Sequence, residues 1–152
     1  MYQVIVVGAD GSETAAVAVK HAARLAKLTG ATLHIVYAYQ VVSTSSVAMA
    51  GSLAPWTDDF ETVNSGIAAE SELVCERAAE QARREGVNVQ THARAGDPAD
   101  MLIAVADQLD ADLLVVGNRG MTGMRRFVLG SVPNKVSHHC PCSLLIVETA
   151  PS

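Results

Sequence analysis

Short runs of β-branched and aliphatic residues recur along this chain, each separated from the next by a stretch with helical spacing. That alternation restricts the possible folds more than any other feature. Val4-Ile5-Val6-Val7, Leu33 to Ala38, Val87 to Ala95, Leu113 to Val116 and Leu144 to Val147 read as strands. Continuous apolar runs of this length belong to strands covered on both faces. Between the first two, Ala15, Val19, Ala22 and Ala26 form the apolar stripe of a helix whose other face carries Lys20, Arg24 and Lys27, with Gly30 as its stop. A second helix spans Ile67 to Glu85. Gly96-Asp97-Pro98 opens a third, with the acid as cap, proline in the first turn and Met101, Leu102, Val105 and Leu109 as its buried stripe. Ser131 opens the last. Repeated strand-helix-strand units predict a three-layer, open, mainly parallel sheet of five strands with helices on both faces and right-handed crossovers.

The strands differ among themselves. In the third, Val87, Val89, Thr91 and Ala93 alternate with Asn88, Gln90, His92 and Arg94, the pattern of an edge strand with one wet face. The fifth is apolar on both sides, with no later strand to pair with it. An uncovered apolar edge invites pairing, so a homodimer joined through Leu144 to Val147 is expected.

With 152 residues, the chain is expected to be a single domain spanning 1–152. Apolar residues make up 49% of it but fall in runs too short to cross a bilayer, and the first residues lack the features of a signal peptide. Three cysteines, an odd number, fit a reducing compartment. A soluble, cytoplasmic protein is the expectation. A net charge of −5 and a pI near 5.4 argue against general nucleic-acid or anionic-membrane binding. One stretch runs the other way: no acid occurs from Leu113 to Val147, where Arg119, Arg125, Arg126 and Lys135 all fall. That stretch is either a solvated basic loop or a place for an anion. Gln40 to Ser65 shows no clear periodicity and carries Pro55, Trp56 and Phe60, so it reads as a long mobile loop, either a lid or partner surface or plain disorder.

The fourth strand runs directly into Gly117-Asn118-Arg119-Gly120, nine residues follow, and Gly130-Ser131 opens a helix. Glycines permit positive φ and let a ligand approach the main chain, so successive N–H groups can face phosphate oxygens. A helix start adds free N–H donors and the positive end of its dipole, and the Ser131 hydroxyl can cap it or bind phosphate. The combination points to a phosphate cradle. It is neither G-x-x-x-x-G-K-[ST] nor G-x-G-x-x-G, which sets aside the Walker loop and the dinucleotide fingerprint.

Gly117-x2-Gly120-x9-Gly130-Ser131 resembles the nucleotide signature of the universal stress protein family, in its ATP-binding subgroup. The opening Val4 to Ser12 is similar to that family's first strand and acidic turn, and Ala111 to Gly117 to its fourth strand. The resemblance implies a doubly wound sheet in the order 3-2-1-4-5, of the adenine nucleotide alpha hydrolase type, which agrees with the edges read from the strands. It also implies ATP as ligand, with AMP or cyclic AMP as alternatives and Mg²⁺ accompanying ATP, and dimers paired through the last strand. By position, Gly8, Ala9 and Asp10 would approach base and ribose, and Ala38 would offer a backbone contact to adenine. Gly117, Asn118, Arg119, Gly120, Gly130, Ser131 and Val132 would hold ribose and phosphates. Asp10 also suits a plain turn or cap.

His138-His139-Cys140-Pro141-Cys142 carries zinc-ligand residue types, but adjacent histidines on a helix diverge and Pro141 turns the chain between the cysteines. It reads as a helix end followed by buried sulfurs, and Cys75 as a packing residue. No nucleophile, base and orienting acid assemble from spacing. The function that the resemblance implies is nucleotide-dependent regulation in a stress response. Slow ATP hydrolysis or self-phosphorylation, and a nucleotide-independent scaffold that uses the 40–65 segment, stand as alternatives.

Overall fold

The computed structural model describes residues 1–43, 60–119 and 129–149. In chain order the elements are β1 (Val4–Ala9), α1 (Glu13–Thr29), β2 (Thr32–Tyr39), α2 (Phe60–Arg84), β3 (Val89–Ala95), α3 (Pro98–Gln108), β4 (Leu113–Gly117), α4 (Ser131–His139) and β5 (Ser143–Val147). The strands form one sheet in the order β3-β2-β1-β4-β5, with every neighbouring pair parallel. This is the expected doubly wound order, with β3 and β5 at its edges.

Alternation along the strands divides the core in two. Ile5 and Val7 of β1 join Leu33, Ile35, Leu113 and Val115 under α1 and α2, while Val6 joins Val36, Leu114 and Val116 under α3 and α4. Ile5, Val6 and Val7 are fully buried, each contributing roughly 1.5–3 kcal/mol of apolar burial. On α1 the buried face is Ala18, Val19, Ala22, Ala23 and Ala26, a stripe of mostly small side chains that lets the helix lie close on the strands. The helix ends as predicted at Gly30, whose φ of 75° is left-handed and whose N–H reaches the Ala26 carbonyl. Asp112 fastens the start of β1 to that of β4: its Oδ2 accepts from the amides of Val4 at 2.9 Å and Gln3 at 2.7 Å.

Two expectations change. Helix α2 begins at Phe60 rather than Ile67, so the last residues assigned to the 40–65 loop are helical. Asn64 on that first stretch clips the chain leaving β2, accepting from the Val42 amide at 2.8 Å and donating to the Val42 carbonyl at 3.1 Å. The remainder of the loop, 44–59, lies outside the described residues. On β3, Asn88, Gln90 and Arg94 are exposed as expected, but His92 is half-buried. Its Nε2 lies 2.9 Å from Nδ1 of buried His34, the two rings stacked with centroids 5.2 Å apart. Burial lowers the pKa of both imidazoles. Among the described residues no helix is long and apolar enough to cross a membrane.

Candidate functional site

In an open sheet a ligand crevice forms where strand order reverses, beyond the carboxyl ends of the strands. Here the reversal lies between β1 and β4, which pair in parallel from Ile5↔Leu113 to Val7↔Val115. A cleft of about 590 Å³, counting the open solvent at its mouth, occupies that corner. Gly8, Ala9 and Asp10 from β1 and its turn, Ala38 from β2, and Gly117 and Arg119 from β4 and its loop line it. Val132 of α4 lies on its rim, and Val36, Leu102 and Val116 give it apolar walls. Of the residues singled out in the sequence, Gly8, Ala9, Asp10, Ala38, Gly117, Arg119 and Val132 therefore converge. Gly120, Arg125 and Arg126 lie outside the described residues.

Two glycines work by close approach rather than positive φ. A Cβ on Gly8 would sit 3.0 Å from Leu102 Cδ1, so its absence lets α3 close down on the end of β1. A Cβ on Gly117 would sit 3.1 Å from Thr149 Cγ2. Gly130, with φ −59° and ψ 166°, is likewise not left-handed.

Three helices start around the cleft, and their first turns differ. At α1, Ser12 Oγ accepts from the Ala15 amide at 3.1 Å. Asp10 supports that cap: its Oδ1 accepts from the Ser12 amide at 2.9 Å and from the Ser12 hydroxyl. The turn role of Asp10 is thus realised while the residue also lines the cleft. At α3, Asp97 accepts from the Asp100 amide at 3.1 Å, with Pro98 following as predicted. At α4 the cap is Gly130, with no side-chain cap bond. Ser131 is the first helical residue rather than the cap, so of the two roles foreseen for its hydroxyl the capping one is not realised. The amides of Ser131 and Val132 have no partner among the described residues; Pro133 has no N–H, and the Asn134 amide bonds to the Gly130 carbonyl.

Other groups expected at the site are already engaged. The Asn118 amide donates to the Val147 carbonyl at 2.8 Å, and the Gly130 amide donates to the Asn118 carbonyl at 3.0 Å. Asn118 Oδ1 accepts from both the amide and the hydroxyl of buried Thr149, at 3.0 and 2.8 Å. Asn118 therefore braces the loop from behind and is not among the residues lining the cleft. Thr149 carries no motif, and the sequence reading missed it. Lys135, counted in the cationic stretch, is held by Asp97 at 3.1 Å and Asp100 at 2.7 Å. Among the described cations of that stretch, Arg119 is left lining the cleft.

Across residues 1–148 the chain matches the universal stress protein family. The chain belongs to that family. A universal stress protein of Mycobacterium tuberculosis, Rv1636, is 36% identical over 149 residues, covering 97% of each chain. A universal stress protein solved in complex with cAMP superposes with a TM-score of 0.70 at 31% identity, covering 98% of each chain. The universal stress protein from Archaeoglobus fulgidus in complex with dAMP shares the fold, with a TM-score of 0.64 at 20% identity over 97% of this chain and 98% of that one.

In this universal stress protein the segment after α4 gathers no metal site: among the described residues no three His, Cys, Asp or Glu side chains group to hold an ion. Cys75 is fully buried and its thiol donates to the Ile35 carbonyl at 3.3 Å, with burial raising its pKa.

Proposed function

We propose that the cleft between β1 and β4 binds an adenine nucleotide, ATP foremost, and that the protein acts as a nucleotide-dependent regulatory module of a stress response. The observation that carries this reading is the start of α4, the one uncapped helix start among the three bordering the cleft. A phosphate is the group that two open amides at a positive helix end would favour. Arg119 adds a planar, always-charged donor suited to phosphate oxygens. The apolar walls from Val36, Leu102 and Val116 suit a base, and the β2 end at Ala38 offers main-chain groups to its edge. Asp10, with Oδ1 held by Ser12, faces the ribose. To the phosphate side we assign Gly117, Gly130, Ser131 and Val132, with Asn118 holding that loop in place. The cAMP complex of a relative supports adenine as the base.

Asp10 is the one carboxylate among the described residues lining the cleft. Mg²⁺ would therefore arrive on the ATP phosphates rather than sit in a protein cage, in keeping with its habit of retaining water. The proposed setting is the cytoplasm, a reducing compartment in keeping with three free cysteines.

Calorimetric titration with ATP, AMP and cyclic AMP tests the reading. Binding of ATP at micromolar concentration is the expected result, and absence of heat with all three would overturn it.

The outer edge of β5 has no partner strand among the described residues, and Leu144, Leu145 and Ile146 are only half-buried. A second copy pairing along β5 would cover them. Light scattering at micromolar concentration is expected to give a dimer, and a monomer would contradict this assembly.

A further inference from the structure

Helix α4 ends at His139, and the chain passes through Cys140-Pro141-Cys142 before entering β5. The Cys140 amide still bonds back to the Val136 carbonyl at 2.9 Å, while its own φ of −64° and ψ of 129° are already extended. Residues two apart on extended backbone share a face, and the chain bends at Pro141 and Cys142. Both sulfurs consequently turn toward the core beneath α3 and α4, with Sγ 3.8 Å from Sγ. They are half-buried, unlike Cys75, which is sealed in the opposite core.

Two touching thiols at a helix end constitute a different chemical object from one packed cysteine. We propose that Cys140 and Cys142 form a dithiol site that takes low-molecular-weight disulfides as substrate and finishes as an intrachain Cys140–Cys142 disulfide. In the first step the Cys140 thiolate attacks one sulfur of RS–SR; a Cys140–SR bond forms, the RS–SR bond breaks, and RS⁻ leaves. In the second, Cys142 releases its proton to solvent and its sulfur attacks Sγ of Cys140, expelling the second RS⁻. Two electrons and two protons pass from the protein dithiol to the small disulfide, giving two RSH. Closure draws the sulfurs from contact to bonding distance, about 2.05 Å, by side-chain rotation at neighbouring positions.

The surroundings set the order of events. Burial, together with the adjoining Cys140, pushes the Cys142 thiol up to about 12. Asp112 reinforces that rise and the Leu114 main chain opposes it. Cys142 therefore keeps its proton until the mixed disulfide presents it with an electrophilic sulfur, and ring closure is the slower, base-favoured step. Exposed His138 and His139 precede the pair on α4, and Lys135 one turn earlier is tied to Asp97 and Asp100. Neither cysteine lines the cleft between β1 and β4.

Oxidised glutathione is the probe. The full chain, incubated with it under native conditions at neutral pH, quenched in acid, alkylated and digested, is read by mass spectrometry. The peptide bearing Cys140 and Cys142 is expected to lose two hydrogens and both alkylation sites, while Cys75 remains alkylatable once the chain is denatured. Cys142→Ser should arrest the reaction with one glutathione on Cys140. The wild-type mass decides the matter even if that variant misfolds. Two surviving thiols, one glutathione on each sulfur, or chains cross-linked to one another would each overturn the proposal.

Discussion

The starts of α1 and α4 border the same cleft, yet one carries a side-chain cap and the other does not. At α1 every device is local: Asp10 organises Ser12, and Ser12 in turn caps Ala15. Such a turn carries its own side-chain cap. At α4 a glycine stands where a capping side chain would be, and the amides of Ser131 and Val132 have no partner among the described residues. A helix end left without partners represents a standing cost, which an incoming anion removes. On the proposed reading the acidic, capped turn is scaffolding that also lines the cleft, and the bare glycine start is the element offered to the phosphates.

The sharpest way to break this contrast is to give α4 the cap it lacks. Gly130→Asp would place a carboxylate where it can accept from the open amides, competing with phosphate by both occupancy and charge. Helix stability should change by a few tenths of a kcal/mol, since glycine is itself tolerated at a cap. Nucleotide affinity should fall by about 2–3 kcal/mol, or roughly 30- to 150-fold, the worth of one to two charge-assisted hydrogen bonds. Calorimetry beside a urea melt measures both, and unchanged affinity in a folded variant would remove α4 from the site.

Thr149→Val keeps the shape behind Gly117 while deleting the hydroxyl bond to Asn118. A loss of about 1 kcal/mol in stability is expected, typical of one hydrogen bond, with a smaller weakening of nucleotide affinity because the loop is less firmly held. Equal affinity together with equal stability would show the brace to be idle.

The third helix start supplies the smallest and most pH-dependent effect. Asp97→Ala removes the α3 cap at about 1 kcal/mol. The Asp100 amide, and after it Lys135, hold the Asp97 pKa below its ordinary 3.8. A depressed carboxylate contributes stability that is whole above its unfolded pKa and is lost as pH falls through the folded one. The wild-type advantage over Asp97→Ala should therefore be constant at neutral pH and shrink on acidification below about pH 4. Urea melts at several pH values provide the check, and a gap that widens in acid would contradict the assignment.

How legible all this is from residues alone depends on range. The strands and the sheet's edges followed from apolar runs and from the half-wet pattern of β3, because those signals are local and repeated, while the full strand order came from the family resemblance. The Asp97-Pro98 start was likewise written in adjacent residues. Helix α2 was begun too late because Glu61, Thr62, Ser65 and Gly66 obscure the stripe formed by Phe60, Asn64 and Ile67, and Asn64 earns its place through Val42, a distant partner. At the cleft the lining residues on strand ends were found, but the roles of Asn118 and Lys135 were not. Both are decided by hydrogen-bonding partners, Thr149, Asp97 and Asp100, that lie 31 to 38 positions away and leave no mark on local spacing. Gly117 was attributed to positive φ and to ligand approach, whereas the Thr149 side chain, 3.1 Å from where a Cβ would sit, is a constraint that local spacing does not show.

The brace at Asn118 has one further consequence. Its amide rests on the last residue of β5 and its side chain on the tail just beyond, so the phosphate loop and the outermost strand are rivets in a single seam. Displacing the loop strains the sheet margin, and tugging on the margin strains the loop by the same free energy. A tenant in the cleft and a neighbour on the flank would thus each sense the other without touching.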